Sequence, residues 1–375
     1  MRIYLDNAAT TPIAPEVVTA MTDVLSNHFG NPSSSHHFGR DTKALIETSR
    51  RAVAKELNCQ SSEIIFTCGG TEADNAALYL SVRNLGVERI ITTSIEHHAV
   101  GHTVDALKKE EGTEIVYLNA DLKGNIQLSQ LEELLKESKK TLVSLMHANN
   151  EIGTLLPIQR VSEMCRKYNA YFHSDTVQSM AHYRFDLGAL DIDFITCSAH
   201  KFHGPKGVGF LYVNKKLKIG SFIHGGAQER GMRGGTENVP GIVGLAKAFQ
   251  LAYNDIEEHH THIQGLKSYM IDALKKAIPN VSFHGETDPE KSLYTVLNVC
   301  FPRFEGSGMF LFTLDLKGIA VSGGSACSSG AVGASHVLSG IEADLNRPNA
   351  RFSFSKFNTK EEIDRVIEEL RLIVK

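Results

Sequence analysis

The chain has 375 residues, with 39 basic against 43 acidic side chains and a net charge of -4. That length buries a large core and predicts two lobes, or one large and one small domain, while the near balance of charge without a long basic block argues against nucleic acid as the main partner. No apolar run approaches the roughly 18 residues of a membrane span and the N-terminus MRIYLDNAATT lacks a signal-peptide core, so the expectation is a cytoplasmic protein with no membrane partner.

Strand-like and helix-like segments alternate along the first two thirds of the chain. The strand candidates are Glu63 to Thr67, Arg89 to Ser94, Glu114 to Leu118, Leu142 to His147, Ala170 to Ser174, Phe194 to Cys197 and Gly207 to Val213, with helical stretches such as Glu72 to Leu85 and Ile158 to Asn169 between them. This pattern predicts an α/β fold with a parallel, doubly wound sheet. A long amphipathic tract runs from about Val239 to Ile278, with Ile263, Leu266, Met270, Leu274 and Ala277 at helical spacing. Strands near Tyr294 to Cys300 and Arg351 to Phe354, and helices around Gly308 to Leu316 and Thr359 to Val374, then predict a smaller α+β domain.

The six cysteines, Cys59, Cys68, Cys165, Cys197, Cys300 and Cys327, contain no CxxC pair, so zinc and cluster spacings are absent. Five read as small buried hydrophobes. Cys327 does not. It sits in GGSACSSG, a run without a bulky side chain that cannot anchor itself by burial and predicts a mobile segment. His98 and His102 are four apart, but no acidic or thiol ligand has matching spacing, so no metal is expected.

Several polar residues fall at predicted strand ends, where α/β proteins bind ligands. Lys201, in SAHKFHGPKG, is fenced by turn-formers, and a desolvated lysine amine there can form a Schiff base with a carbonyl. The junction FTCGGTEADN is a strand, a tight turn at Gly69 and Gly70, and a helix beginning near Thr71. Its exposed first-turn amides seat an anion, and Ser198 offers a second hydroxyl. Asp175 can hold a cationic heteroaromatic nitrogen, and His97 can stack on a flat ligand; Asn149 and Asn150 close another strand. Each has a plainer reading: Lys201 a solvated charge, Thr71 an N-cap with Asp74 completing a capping box, Asp175 a helix cap. Their conjunction describes pyridoxal phosphate, whose phosphate, aldehyde, ring nitrogen and ring face are each accounted for.

The strings YLDNAATTP, HFGNPSS, FTCGGTEADN, EHHAV, HANNEIGT, SDTVQS, SAHKFHGPKG, RGGTENVPGIVG, GSACSSG and RFSFS span Leu5 to Phe354. With them the chain resembles the cysteine desulfurases of the NifS/IscS type, of the class V aminotransferase family and the fold-type I pyridoxal phosphate enzymes. The resemblance implies a large cofactor-binding domain, residues 14–250, with a mostly parallel seven-stranded sheet, and a smaller α+β domain, residues 1–13 and 251–375, carrying Cys327. It implies that Lys201 bonds the cofactor, that Asp175 meets the pyridine nitrogen and Gln178 the ring hydroxyl, and that His97 stacks on the ring. Gly70, Thr71, Ser198 and His200 would hold the phosphate, Asn150 would lie beside the ring and the substrate, and Arg351 would grip the substrate carboxylate. Thr236 would reach the phosphate of a neighbouring subunit in a homodimer. The expected reaction converts L-cysteine to L-alanine, with the sulfur passing to Cys327 as a persulfide and on to an iron–sulfur scaffold or sulfur-carrier protein. The rivals are a selenocysteine lyase, a pyridoxal phosphate enzyme without a protein thiol in its chemistry, and an inactive docking protein that keeps the fold.

Overall fold

The computed structural model describes residues 2–323 and 335–374. Its strands, in chain order, are β1 Ile3–Tyr4, β2 Ile64–Thr67, β3 Arg89–Thr93, β4 Glu114–Leu118, β5 Thr141–Ser144, β6 Tyr171–Asp175, β7 Phe194–Ser198, β8 Gly209–Val213, β9 Ser282–His284, β10 Val296–Cys300, β11 Ile319–Ala320 and β12 Asn349–Ser353.

The main sheet has seven strands in the order β2-β8-β7-β6-β5-β3-β4. All seven correspond to the predicted set, but the sheet is mixed: β8 runs antiparallel to both β2 and β7. The continuous apolar runs follow from burial on both faces. Ile64 and Phe66 of β2, Ile91 of β3 and Val143 of β5 enter one core with Val53 and Leu245 from flanking helices. Their chain neighbours Ile65, Ile90 and Leu142 enter a second core with Ala77 and Val104.

The C-terminal part builds a three-stranded antiparallel sheet, β12-β10-β9, and a parallel pair of β1 with β11. Its core joins Leu5, Val299 and Phe352 to Ile263, Met270 and Leu274 of helix Ile256–Ala277, and to Ile363 and Leu370 of helix Lys360–Ile373. The last helix opens with a complete capping box, Thr359 with Glu362. The predicted tract Val239 to Ile278 is two helices, Val239–Asn254 and Ile256–Ala277, separated at Asp255. The cysteine expectation needs correcting as well: Cys165, Cys197 and Cys300 are buried, but Cys68 is exposed and Cys59 half-buried. Among the described residues no helix is long and apolar enough to cross a membrane.

Candidate active site

The carboxyl ends of β2, β3, β5, β6 and β7 and the turns that follow them open onto one cavity of about 190 Å³. Gly70, Thr71, His97, Asn150, Asp175, Gln178, Ser198, His200, Lys201 and Arg351 all line it. The structure thus gathers ten of the twelve expected site residues. Thr236 is exposed and lines a different pocket, beside Thr67, Cys68 and Arg233. Cys327 lies outside the described residues.

Lys201 ends the short turn Ala199–Lys201 that follows β7. Its Nζ donates to the carbonyls of Ala8 at 2.6 Å and Ala9 at 3.0 Å, so the N-terminal segment closes over the amine. Gln178 Nε2 donates to the same Ala8 carbonyl at 3.0 Å.

One end of the cavity is built for an anion. Helix Gly70–Leu85 begins after Gly69, whose φ of 153° suits a residue without a Cβ. A Cβ on Gly70 would stand 2.6 Å from Val177 Cγ2, so glycine lets the helix start press against the strand-end turn. The first intrahelical bond runs from Ala73 N to Gly69 O, so the amides of Gly70, Thr71 and Glu72 precede the ladder. The plainer reading of Thr71 and Asp74 as a capping box does not hold: Gly69 is the N-cap, and Glu72 accepts from Cys68 N at 2.9 Å. Ser198 ends β7 beside this turn, and burial, then the charge of Lys201, pushes the His200 imidazole down to about 4.

The other end is built for a cation. Asp175 closes β6, is 5% exposed, and accepts from Val177 N at 2.8 Å. Burial, and then Asp74, push its carboxyl up to about 6, a cost that a cation placed against it relieves. His97 is the N-cap of helix His98–Glu111, and its Nδ1 accepts from Ala99 N at 3.1 Å, which leaves the proton of the neutral ring on Nε2. Burial holds this ring below the usual imidazole range.

Arg351, on β12, reaches in from the small sheet and is 1% exposed. It donates through Nη1 to Asn150 O at 2.9 Å and through Nη2 to Asp6 Oδ1 at 3.0 Å. Arg351 Nε, Asn150 Oδ1 and Asp74 Oδ1 are buried with no hydrogen-bond partner. Unsatisfied buried polar atoms are costly, and these three residues line a single cavity, the mark of a site completed by a ligand. The residues present fit pyridoxal phosphate: amide and hydroxyl donors for its phosphate, a lysine for its aldehyde, a carboxylate for its ring nitrogen and an imidazole for its ring face.

Sequence reading passed over Ala8, Ala9, Met146 and Val177, which also line the cavity, and the Asp6 partner of Arg351. The run YLDNAATTP was the available signal for the N-terminal arm. Asn149 is structural: its Oδ1 accepts from Glu151 N and Ile152 N and its Nδ2 donates to Ile95 O. His98 and His102 stack with ring centroids 4.8 Å apart, and the described residues contain no cluster able to hold a metal.

This sheet, with its ligand cavity at the strand ends, defines a fold-type I pyridoxal phosphate enzyme. The aminotransferase class-V family model matches residues 3–366, and the chain belongs to that family. It is 43% identical over 382 residues to the cysteine desulfurase IscS of Dictyoglomus turgidum, covering 99% of this chain and 96% of that protein. Among solved structures, a NifS-like protein superposes with a TM-score of 0.91 at 36% identity, covering 100% of this chain and 99% of that one. A structure described as SspA in complex with cysteine gives 0.80 at 32% identity, covering 96% and 100%.

Proposed function

We propose that this chain is a pyridoxal phosphate-dependent cysteine desulfurase, which takes sulfur from L-cysteine and releases L-alanine. The observation that carries the reading is the convergence of Lys201, Asp175, His97 and Arg351 on one cavity that also has an anion seat at a helix start. Similarity to IscS and NifS-like proteins, and to SspA with its bound cysteine, supports it.

Seated there, pyridoxal phosphate supplies an electron sink for charge developing at the substrate α-carbon. Lys201 would hold the cofactor through its aldehyde, and its Nζ, when free, is the base placed to take the substrate α-proton. Asp175 holds a proton at the ring nitrogen, and His97 covers the ring face. Gln178 meets the ring hydroxyl, while Gly70, Thr71, Ser198 and His200 hold the phosphate. Arg351 binds the substrate carboxylate and Asn150 lies beside it, so that the two unsatisfied atoms Arg351 Nε and Asn150 Oδ1 gain partners. Cys327 thiolate attacks the substrate sulfur, the carbon–sulfur bond breaks with its electrons left on the carbon side, and a proton delivered to that carbon, with return of the α-proton from Lys201 Nζ, gives alanine. The sulfur stays on Cys327 as a persulfide.

The acceptor in this reading is an iron–sulfur scaffold or sulfur-carrier protein, and the setting is the cytoplasm. The enzyme acts as a homodimer, with Thr236 reaching the phosphate site of the second copy. The chain divides into a large cofactor-binding unit, residues 14–250, and a smaller one, residues 1–13 and 251–375. The test is to add L-cysteine and a thiol reductant to the purified, cofactor-loaded protein and measure products. Alanine and sulfide in equal amounts, with no keto acid required, support the reading. Dependence on a keto acid, or alanine without sulfide, contradicts it.

A further inference from the structure

Ala8, Gln178 and Lys201 line two cavities, the one described above and a second of about 30 Å³. One carbonyl ties the three together: Ala8 O accepts from Lys201 Nζ at 2.6 Å and from Gln178 Nε2 at 3.0 Å. They form the wall between the two spaces, so Lys201 borders the substrate on one side and the second cavity on the other. Helix Val239–Asn254 lines this second cavity with Ala248 and Ala252, and helix Ile256–Ala277 with His259 and Ile263. His203, His259 and Lys356, also in its walls, are half-buried, so the cavity runs from Lys201 toward the surface.

Two polar side chains of the second cavity have an atom to spare. Asn7 is 4% exposed, and its Nδ2 donates to Ser353 O at 2.9 Å and to Asn358 Oδ1 at 3.2 Å, while its Oδ1 is buried with no hydrogen-bond partner. His203 Nδ1 lies 2.9 Å from Pro12 O; a carbonyl only accepts, so the neutral ring carries its proton there and keeps a lone pair on Nε2. A buried acceptor left without a donor is costly. A water needs about 10–15 Å³ and two or more polar partners, so a space of about 30 Å³ bounded by these groups admits one or two.

We propose that the second cavity is a water site that connects Lys201 with solvent, so that the proton Lys201 takes from the substrate is exchanged before one is returned. The proposal rests on the reading of Lys201 as the base of a cysteine desulfurase. Taking the α-proton makes Nζ an ammonium with three N–H bonds. One of these breaks as its proton passes to water, and another forms with a proton from water, so no charge is gained and no further reactant is consumed. Cofactor and substrate fill the larger cavity during the reaction, whereas the water behind Lys201 keeps its path past His203 and His259 to the surface.

The test runs the loaded, full-length protein on excess L-cysteine in heavy water and reads, by proton NMR, the hydrogen at Cα of the alanine released. An amine closed to solvent keeps the substrate hydrogen in about one third of the product or more, since it is one of three on Nζ and moves faster than deuterium. Wild type should keep almost none. Ala252→Val puts two methyl groups into the second cavity and leaves its shared wall intact, and should raise retention toward about one third. Ala248→Val takes its place should Ala252→Val fail to fold. Crystals of the loaded wild type should show ordered water within hydrogen-bonding distance of Asn7 Oδ1, and this result decides alone should neither variant fold. A dry cavity, retention of about one third in wild type, or unchanged retention in a folded variant overturns the proposal. No alanine from wild type overturns the desulfurase reading and the proton path with it, whereas alanine that keeps its hydrogen removes only the path.

Discussion

Replacing Arg351 with Lys is the sharpest perturbation of substrate binding. Arg351 is 1% exposed, and its fork is already aimed by Asn150 O at 2.9 Å and Asp6 Oδ1 at 3.0 Å. Lysine keeps the charge but ends in a compact ammonium that cannot give a carboxylate two parallel bonds. A hydrogen bond to a charged group contributes about 1.5–3 kcal/mol, and one decade of affinity is about 1.4 kcal/mol. Losing one of two such bonds therefore raises KM for L-cysteine about 10- to 100-fold. In the proposed reading Arg351 meets the carboxylate and not the bonds that change, so kcat should fall less than KM rises. The assay is alanine formation across a range of L-cysteine, with the visible cofactor band as a check that the seat is intact. A KM within about threefold of wild type, with the cofactor still bound, refutes the assignment of Arg351 to the substrate carboxylate.

Gly70→Ala places a Cβ 2.6 Å from Val177 Cγ2 and should cost about 1–3 kcal/mol, read as faster loss of cofactor on dialysis; adding Val177→Ala should restore retention. Cys327→Ala should keep the cofactor and its colour yet release no alanine from L-cysteine, as followed by amino-acid analysis. For Asp175 the folded value of about 6 lies above the unfolded 3.8, so this group favours the cofactor-free fold at acid pH and that contribution is lost as pH rises through about 6. A ring cation offsets the loss, so the rise in Tm on cofactor loading should be larger at about pH 7.5 than at about pH 5. Lys267, 1% exposed and donating to Ser292 Oγ and Leu293 O, is pushed by burial down to about 7 from 10.5. Its contribution to stability therefore grows as pH rises from about 7 to about 10, and Lys267→Met should flatten the dependence of Tm on pH across that window.

Much of the fold was legible because parallel strands buried on both faces read as unbroken apolar runs, and each run was followed by turn residues. The same turns marked the site, since Lys201, Asp175, Ser198 and the Gly69–Gly70 junction all sit at or just past strand ends. The antiparallel direction of β8 was not legible, because side-chain alternation is the same in either direction. Nor was the arm that closes over Lys201: its partner carbonyls on Ala8 and Ala9 lie 193 and 192 residues away, and backbone acceptors carry no side-chain signature. Asp6 finds Arg351 across 345 residues, another contact of tertiary origin. The cap that stood as the plainer reading of Thr71 and Asp74 does not form, and an aspartate in the first turns of a helix looks alike whether it faces the helix end or a cavity. The outcome for Thr236 has a similar root, since this exposed residue was expected to act only across two chains.

The central claim is that Lys201 is the residue joined to pyridoxal phosphate, and borohydride reduction of the loaded protein followed by peptide mapping tests it most directly. The account predicts one pyridoxyl adduct per chain, on Lys201, and none in Lys201→Ala. An adduct on another lysine, or none in a protein that has taken up the cofactor, contradicts it.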